Sequence, residues 1–318
     1  MLSLIEILAA QDDLITRCQA LTVMSEAELR RLIRTSWTVV APGVYLASRA
    51  DPTFAQRLRA AVLHAGPESQ LADQTALAVY GVPYLPTDSF VRILVPEPVQ
   101  RVSCGFIKIS RTTRMPQPAF VNGLPVVPAH RALTDFVARF QSRRDSLAVA
   151  AAVVQRKMIS ATQFRQEIAE GPARGRSRLR WMLEQLEAGV RSAPEYDVRA
   201  LVLACPGLAE PLWNPLLRLP TGRLVSPDGF WIDSATASEV DGRDQHSADI
   251  AGPDAFDQTY AKRVWMEAAG IDVVSFTGRQ PRTASQLVIS RIVDAVTRNA
   301  GRGLPPGVEI VRPAPPPW

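Results

Sequence analysis

A chain of 318 residues that is 47% hydrophobic and 21% charged holds material for two or three folded domains, which excludes a disordered or fibrous protein. Its formal charge of +5 and pI near 9.4 favour an anionic partner. The opening MLSLIEILAAQDD lacks a basic region and meets acids early, and the longest apolar run, Leu147–Val154, is too short to span a bilayer, so the chain reads as cytoplasmic with no membrane partner. Cys18, Cys104 and Cys205 are odd in number and widely spaced, which predicts buried free thiols rather than a metal or disulfide framework.

In chain order, Leu2–Ala10 and Leu14–Leu21 carry apolar residues at helical spacing, separated by Asp12-Asp13. Ser25 followed by Glu28 is a capping-box signal for a third helix, with Leu29, Leu32 and Ile33 inward and Arg30, Arg31 and Arg34 outward. WTVVAPGVYLA then reads as a β-hairpin bent at Ala41-Pro42-Gly43. Three short helices and a hairpin over residues 1–50 predict a winged helix-turn-helix. In that layout Arg30, Arg31 and Arg34 meet double-stranded DNA, and the wing around Gly43 and Tyr45 assists. The bland alternative is a small helical cap kept soluble by its arginines.

Residues 51–190 predict an α+β middle domain. Helices are expected over Pro52–Ala65 and Ala72–Tyr80, strands over VRILVPEP and FIKISRT, and a strand-turn over FVNGLPVVPA. Further helices follow over Arg131–Phe140, Ser146–Lys157, Ala161–Ala169 and Arg176–Ala188. His64 and His130 stand apart from any catalytic partner and read as structural hydrogen-bonding residues. The basic run ARGRSRLR reads as a solvated face.

Residues 191–300 open on Ser192-Ala193-Pro194-Glu195, a capped helix start. Strands are expected over Leu212–Leu219, Leu224–Val225, Gly229–Ile232 and Ala237–Asp241, then a helix over Phe256–Ala269, a strand over Val273–Thr277 and a helix over Ala284–Arg298. Pro305–Trp318 predicts an extended proline-rich tail within 301–318. The stretch SPDGFWIDSATASEVDGRDQH gathers acids in a basic chain. With Ser234-Ala235 as the hairpin tip, residue 228 pairs with 241, so Asp228, Glu239 and Asp241 share one face. Three such carboxylates repel unless a cation compensates, and Mg²⁺ takes oxygen ligands of this kind. The same SPDG is equally a good turn sequence, which leaves Asp228 a turn residue in the alternative reading.

The segments APGVYLA, DQTALAVYGVP and NGLPVVPAHRALTDFVARF, in this order, resemble an actinobacterial AbiEi-like antitoxin family whose C-terminal half is similar to Vsr-like endonucleases of the PD-(D/E)xK class. The resemblance spans about Leu2 to Asn299. It implies an α+β multidomain chain: a winged helix that binds promoter DNA, a middle domain that neutralises a nucleotidyltransferase-like toxin, and an α/β nuclease-like domain. In that class a metal-binding Asp sits on one strand and the (D/E)xK pair on the next. Here Glu239-Val240-Asp241 lacks the lysine. Vsr-like enzymes lack it too and use histidine, a role His246 matches as general acid or base. Lys262 or Arg263 on the following helix is the other source of the missing cation, with Glu195 at the edge of the site. The functions implied are a DNA-binding regulator of antitoxin type, a Mg²⁺-dependent endonuclease, or a purely protein-binding antitoxin.

Overall fold

The computed structural model describes residues 3–241 and 254–312. It is mixed α+β and divides into two compact units, Met1–Phe140 with Gln166–Gly175, and Gln141–Arg165 with Arg176–Trp318. The boundary expected at residue 50 therefore falls inside the first unit and the one expected at 190 inside the second.

The first unit opens with α1 (Leu4–Ala10), started by a reciprocal Ser3–Glu6 capping box. Asp12 and Asp13 then take left-handed backbone angles, φ 54° and 64°, which no helix continues. Leu14–Thr16 consequently forms a strand, β1, where a helix was expected. Thr16 caps α2 (Arg17–Val23) through a box with Gln19. Ser25 accepts from Glu28 N at 3.2 Å and starts α3 (Glu26–Thr35). The hairpin β2 (Thr38–Ala41) and β3 (Val44–Leu46) turns at Gly43, φ 76°, and the three strands order as β1-β3-β2. Ile7, Ile15, Ala20, Leu29 and Trp37 close the core over this sheet.

A second sheet follows, ordered β6-β5-β4-β8-β7. Its parts come after α4 (Phe54–Ala65): β4 (Gln70–Leu71), α5 (Asp73–Val79), β5 (Val91–Pro96), β6 (Ile107–Thr112), the hairpin β7 (Ala119–Val121) and β8 (Leu124–Val126), and α6 (Ala129–Arg139). The expected elements are all present, and two-residue β4 is added. Arginines neutralise the buried acids here. Arg139 Nε meets Asp73 at 2.7 Å, Arg131 Nε meets Asp135 at 2.9 Å, and Arg114 binds Glu167 at 2.5 Å and Glu170 at 3.2 Å. Burial still pushes the Asp135 carboxyl up to about 6, against the pull of Arg131. Cys18 is exposed and Cys104 half-buried, as is Cys205 of the second unit. All three are free, but the expected burial is corrected, because each lies on a helix or loop surface rather than in a core cluster.

In the second unit α7 (Arg143–Gln155), α8 (Ala161–Glu170, whose last turn belongs to the first unit) and α9 (Arg176–Glu187) precede α10 (Ala193–Leu203). Among the described residues, seven strands and three helices complete it: β9 (Leu212–Trp213), β10 (Leu216–Arg218), β11 (Leu224–Val225), β12 (Gly229–Trp231), β13 (Thr236–Asp241), α11 (Asp254–Ala268), β14 (Asp272–Thr277), α12 (Gln280–Thr283), α13 (Ser285–Arg298) and β15 (Glu309–Arg312). The main sheet orders as β14-β13-β12-β9, with β13 and β14 parallel across α11. One face buries Trp231, Val274 and Phe276 against Val198, Val202, Val288 and Ile292 of α10 and α13. The other buries Phe230 and Ala237 against Met266 of α11 and against Leu217, Val225 and Val308. Those last residues bracket a small sheet, β11-β10-β15. The tail is thus corrected: Glu309–Arg312 is a strand, because Ile310 pairs with Leu217 and packs on that core. Among the described residues no helix is long and apolar enough to cross a membrane.

Candidate functional site

The β12–β13 hairpin fixes the site. Gly229 pairs with Ser238 and Trp231 with Thr236, so the connecting residues are 232–235, with Ala235 at φ 46°. The expected register, 228 opposite 241, is corrected by two residues, which sets 228 opposite 239. A shift of two keeps every side chain on its face. Asp228 and Glu239 therefore share the α11 side of the sheet, as alternation required. Gly229 is needed beside Asp228, since a Cβ there would sit 2.7 Å from Ser238 Oγ.

Asp228 is not an exposed turn residue. Its Oδ2 accepts from Val240 N at 2.8 Å and its carbonyl accepts from Asn214 N at 3.0 Å. Asn214, buried at 3% exposure with φ 50°, turns its amide to Gly189 O at 2.9 Å and Glu195 Oε2 at 3.2 Å. Ser192 caps α10 by accepting from Glu195 N at 3.2 Å. The Glu195 side chain takes Arg191 N at 3.1 Å. Across the sheet, Lys262 Nζ of α11 lies 2.7 Å from Glu239 Oε1 and donates to Oε2 at 2.8 Å. Oε1 itself, buried, receives no hydrogen bond.

Three carboxyl groups thus gather around one ammonium. Burial, then repulsion from Asp228, pushes Glu239 up to about 8, against the pull of Lys262. Burial and Asp228 likewise push Glu195 up to about 7. Asp228 is raised by burial, opposed by Lys262, the Val240 amide and Arg191, while Asp241 adds repulsion. Glu195 and Glu239 therefore hold protons more tightly than ordinary carboxyls, because burial and the neighbouring acid both penalise their charged forms.

The structure brings Glu195, Asp228, Glu239 and Lys262 together. It does not bring Asp228, Glu239 and Asp241 into one metal-holding group, and among the described residues no three Asp, Glu, His or Cys side chains form one. The physical reason is the register: Asp241 lies beyond the position opposite Asp228, at the end of β13. The donor chemistry nonetheless suits a hard cation, since Asp228 and Glu239 offer carboxylate oxygens on one face of the sheet. Arg263 lies 5.9 Å from the centroid of the Tyr260 ring and, among the described residues, meets no acid. His246 lies outside the described residues. Asn214 was missed from sequence; its only signal is an Asn between two short apolar runs.

On α3, Arg30, Arg31 and Arg34 are exposed, with Leu29 buried and Leu32 and Ile33 turned to the core as expected. Arg30 is held by Glu26 at 3.1 Å. Gly43 forms the hairpin turn. Tyr45 is corrected: at 8% exposure its ring packs into the core with Ile15 and Trp37, because β3 is the central strand and its residues face inward.

No family model matches the chain, and no curated protein matches it. Among solved structures, the chain is similar to the crystal structure of the RV2827C protein from Mycobacterium tuberculosis. That match has 17% identity and a TM-score of 0.41, and covers 59% of this chain and 77% of the other.

Proposed function

We propose that this chain acts on double-stranded DNA, and that its second unit carries a divalent-cation-dependent phosphodiester-cleaving site of the PD-(D/E)xK type. The single observation behind the reading is Lys262. From α11 it supplies at Glu239 the ammonium that Glu239-Val240-Asp241 lacks in sequence. Asp228 and Glu239 would hold Mg²⁺, with Glu195 at the edge. When bound, the ion polarises a phosphodiester oxygen and makes its water a stronger acid. Lys262 holds Glu239 in place and brings positive charge to the scissile phosphate. Asn214 orients Glu195. His246 is the candidate for a proton-transferring group.

Mg²⁺ is expected to raise the melting temperature, as any ligand selective for the folded state does. Plasmid nicking should appear with Mg²⁺ or Mn²⁺ and vanish in Lys262→Met and Asp228→Asn. Stabilisation by Mg²⁺ with no nicking in either metal would sink the cleavage and leave a cation-binding domain.

A second reading, a DNA-binding regulator of AbiEi-like antitoxin type, is favoured by α3. The order α1-β1-α2-α3-β2-β3, with the sheet β1-β3-β2, supports a winged helix. Arg31 and Arg34 are exposed on it. Gel-shift affinity should fall for Arg31→Ala with Arg34→Ala on every duplex tried; unchanged affinity removes α3 from DNA contact. A nucleotidyltransferase-like toxin is the protein partner this reading would add, and a pull-down on the full chain tests it.

A further inference from the structure

Arg223 stands in the turn that joins β10 to β11 and reaches α11 at Trp265. That turn is rigid: Leu219 N donates to Arg223 O at 2.8 Å and Gly222 N to Leu219 O at 2.8 Å. Pro220 inside it packs against Gly307, where a Cβ would come within 3.2 Å of the proline ring. The exposed Arg223 guanidinium lies 4.1 Å from the centroid of the Trp265 ring, and Trp265 is itself packed on the core of Met266 and Phe230. Stacking on a ring leaves the in-plane N–H donors of a guanidinium unspent. Trp265 follows Lys262 by three residues on α11, so the stacked cation is carried about one helical turn from the lysine that meets Glu239. Arg263, between them, also lies near a ring, that of Tyr260 at 5.9 Å.

Arg114, Arg131 and Arg139 of the first unit are matched to carboxylates, whereas the contact described for Arg223 is the face of an indole. A full positive charge, fixed by a rigid turn and a ring, loses little freedom on meeting an anion. The planar fork suits a phosphate. We propose that Arg223, stacked on Trp265, is a phosphate contact that seats the DNA backbone alongside Lys262. The proposal rests on the reading of the acid cluster as a phosphodiester-cleaving site and assigns how its substrate is held.

The test is a salt titration of binding by the full chain to a fluorescent DNA duplex, in EDTA so that no cleavage intervenes. Each phosphate neutralised contributes about −0.9 to the slope of log affinity against log salt. Arg223→Ala should reduce the slope by about 1 and weaken binding several-fold. Arg223→Lys should restore the slope while recovering only part of the affinity, because the ammonium keeps the charge and loses the stacked fork. An unchanged slope in Arg223→Ala overturns the proposal, as does a wild-type chain that binds no duplex. Nicking by the wild-type chain, measured separately with Mg²⁺, distinguishes the two failures. Cleavage that does not depend on Arg223 removes this contact and spares the site, whereas an Arg223-dependent slope without cleavage keeps the contact and removes the hydrolytic reading.

Discussion

In the first unit Asp73 meets Arg139, Asp135 meets Arg131 and Glu167 meets Arg114, a guanidinium for each acid. In the second, Glu195, Asp228 and Glu239 have, among the described residues, one ammonium in contact, Lys262 on Glu239. Both sets are largely buried, so burial does not distinguish them; charge balance does. A matched set is a fold device: Arg139 ties α6 to Asp73 of α5, Arg131 and Asp135 pair within α6, and Arg114 ties its loop to Glu167 of α8. An unmatched set holds repulsion that protons relieve in the free chain and that a cation would relieve in a working one. Perturbed carboxyls of the second kind are where chemistry is sought first.

The largest expected difference lies in activity. Glu239→Gln should lower nicking at least ~100-fold, the scale for losing one electrostatic group of an active site. It should also raise the cation-free melting temperature, because one of the repelling acids is gone. A mutant that melts lower than wild type without Mg²⁺ would show that Glu239 is held by Lys262 for stability alone.

Arg131→Ala in the matched set should do the reverse. Removing one partner of a buried pair costs about 3 kcal/mol, and a urea titration should show that loss. The Mg²⁺ response should stay intact. Equal losses from Glu239→Gln and Arg131→Ala would erase the contrast between the units.

A smaller effect is expected with pH. Glu239 at about 8, Glu195 at about 7 and Asp135 at about 6 all lie above ordinary carboxyl values. The native chain therefore binds more protons than the unfolded chain between roughly pH 4.5 and 8. Their contribution to stability is full below the unfolded values and is lost as pH rises through 6, 7 and 8. Melting without divalent cation should fall across that window, and the gain from Mg²⁺ should grow over it. A cation-free melting temperature that climbs from pH 5 to 8 would contradict the charge imbalance.

The smallest change is Gly229→Ala. The added Cβ meets Ser238 Oγ, which can rotate, so the cost should be about 1 kcal/mol in a thermal melt. Nicking should drop more than stability, because Asp228 is the next residue.

Much of this fold was legible in the sequence, since helix spacing and turn residues carry local signals. The α3 start at Ser25, the Pro42-Gly43 bend, and the β7–β8 turn at Asn122-Gly123 all lie where those residues require them. The Leu14–Thr16 strand was not legible, because its pairing with β3 is tertiary and its apolar residues also fit a helix. The exchange of one strand register for another had a local cause too. Ala235 takes a left-handed angle that its side chain does not advertise. At the site, the shared face of Asp228 and Glu239 followed from alternation. The bond from Lys262 was one of two options, which the packing of α11 on Phe230 and Ala237 decided. Asn214 was invisible because its role depends on three segments meeting: Gly189, Glu195 and Asp228.

The pairing of β15 with β10 also bears on the order in which the chain matures. Leu217 waits for Ile310, so the core holding Phe230 and Ala237 under the acid-bearing strands stays incomplete until nearly the whole second unit has been synthesised. A ribosome-bound chain can complete the first unit's three-stranded and five-stranded sheets well before then. Local pairings form early and this distant one late. A nascent chain would thus present its exposed α3 arginines before it could assemble its acidic cluster, and removal of Glu309–Arg312 should arrest it in that state.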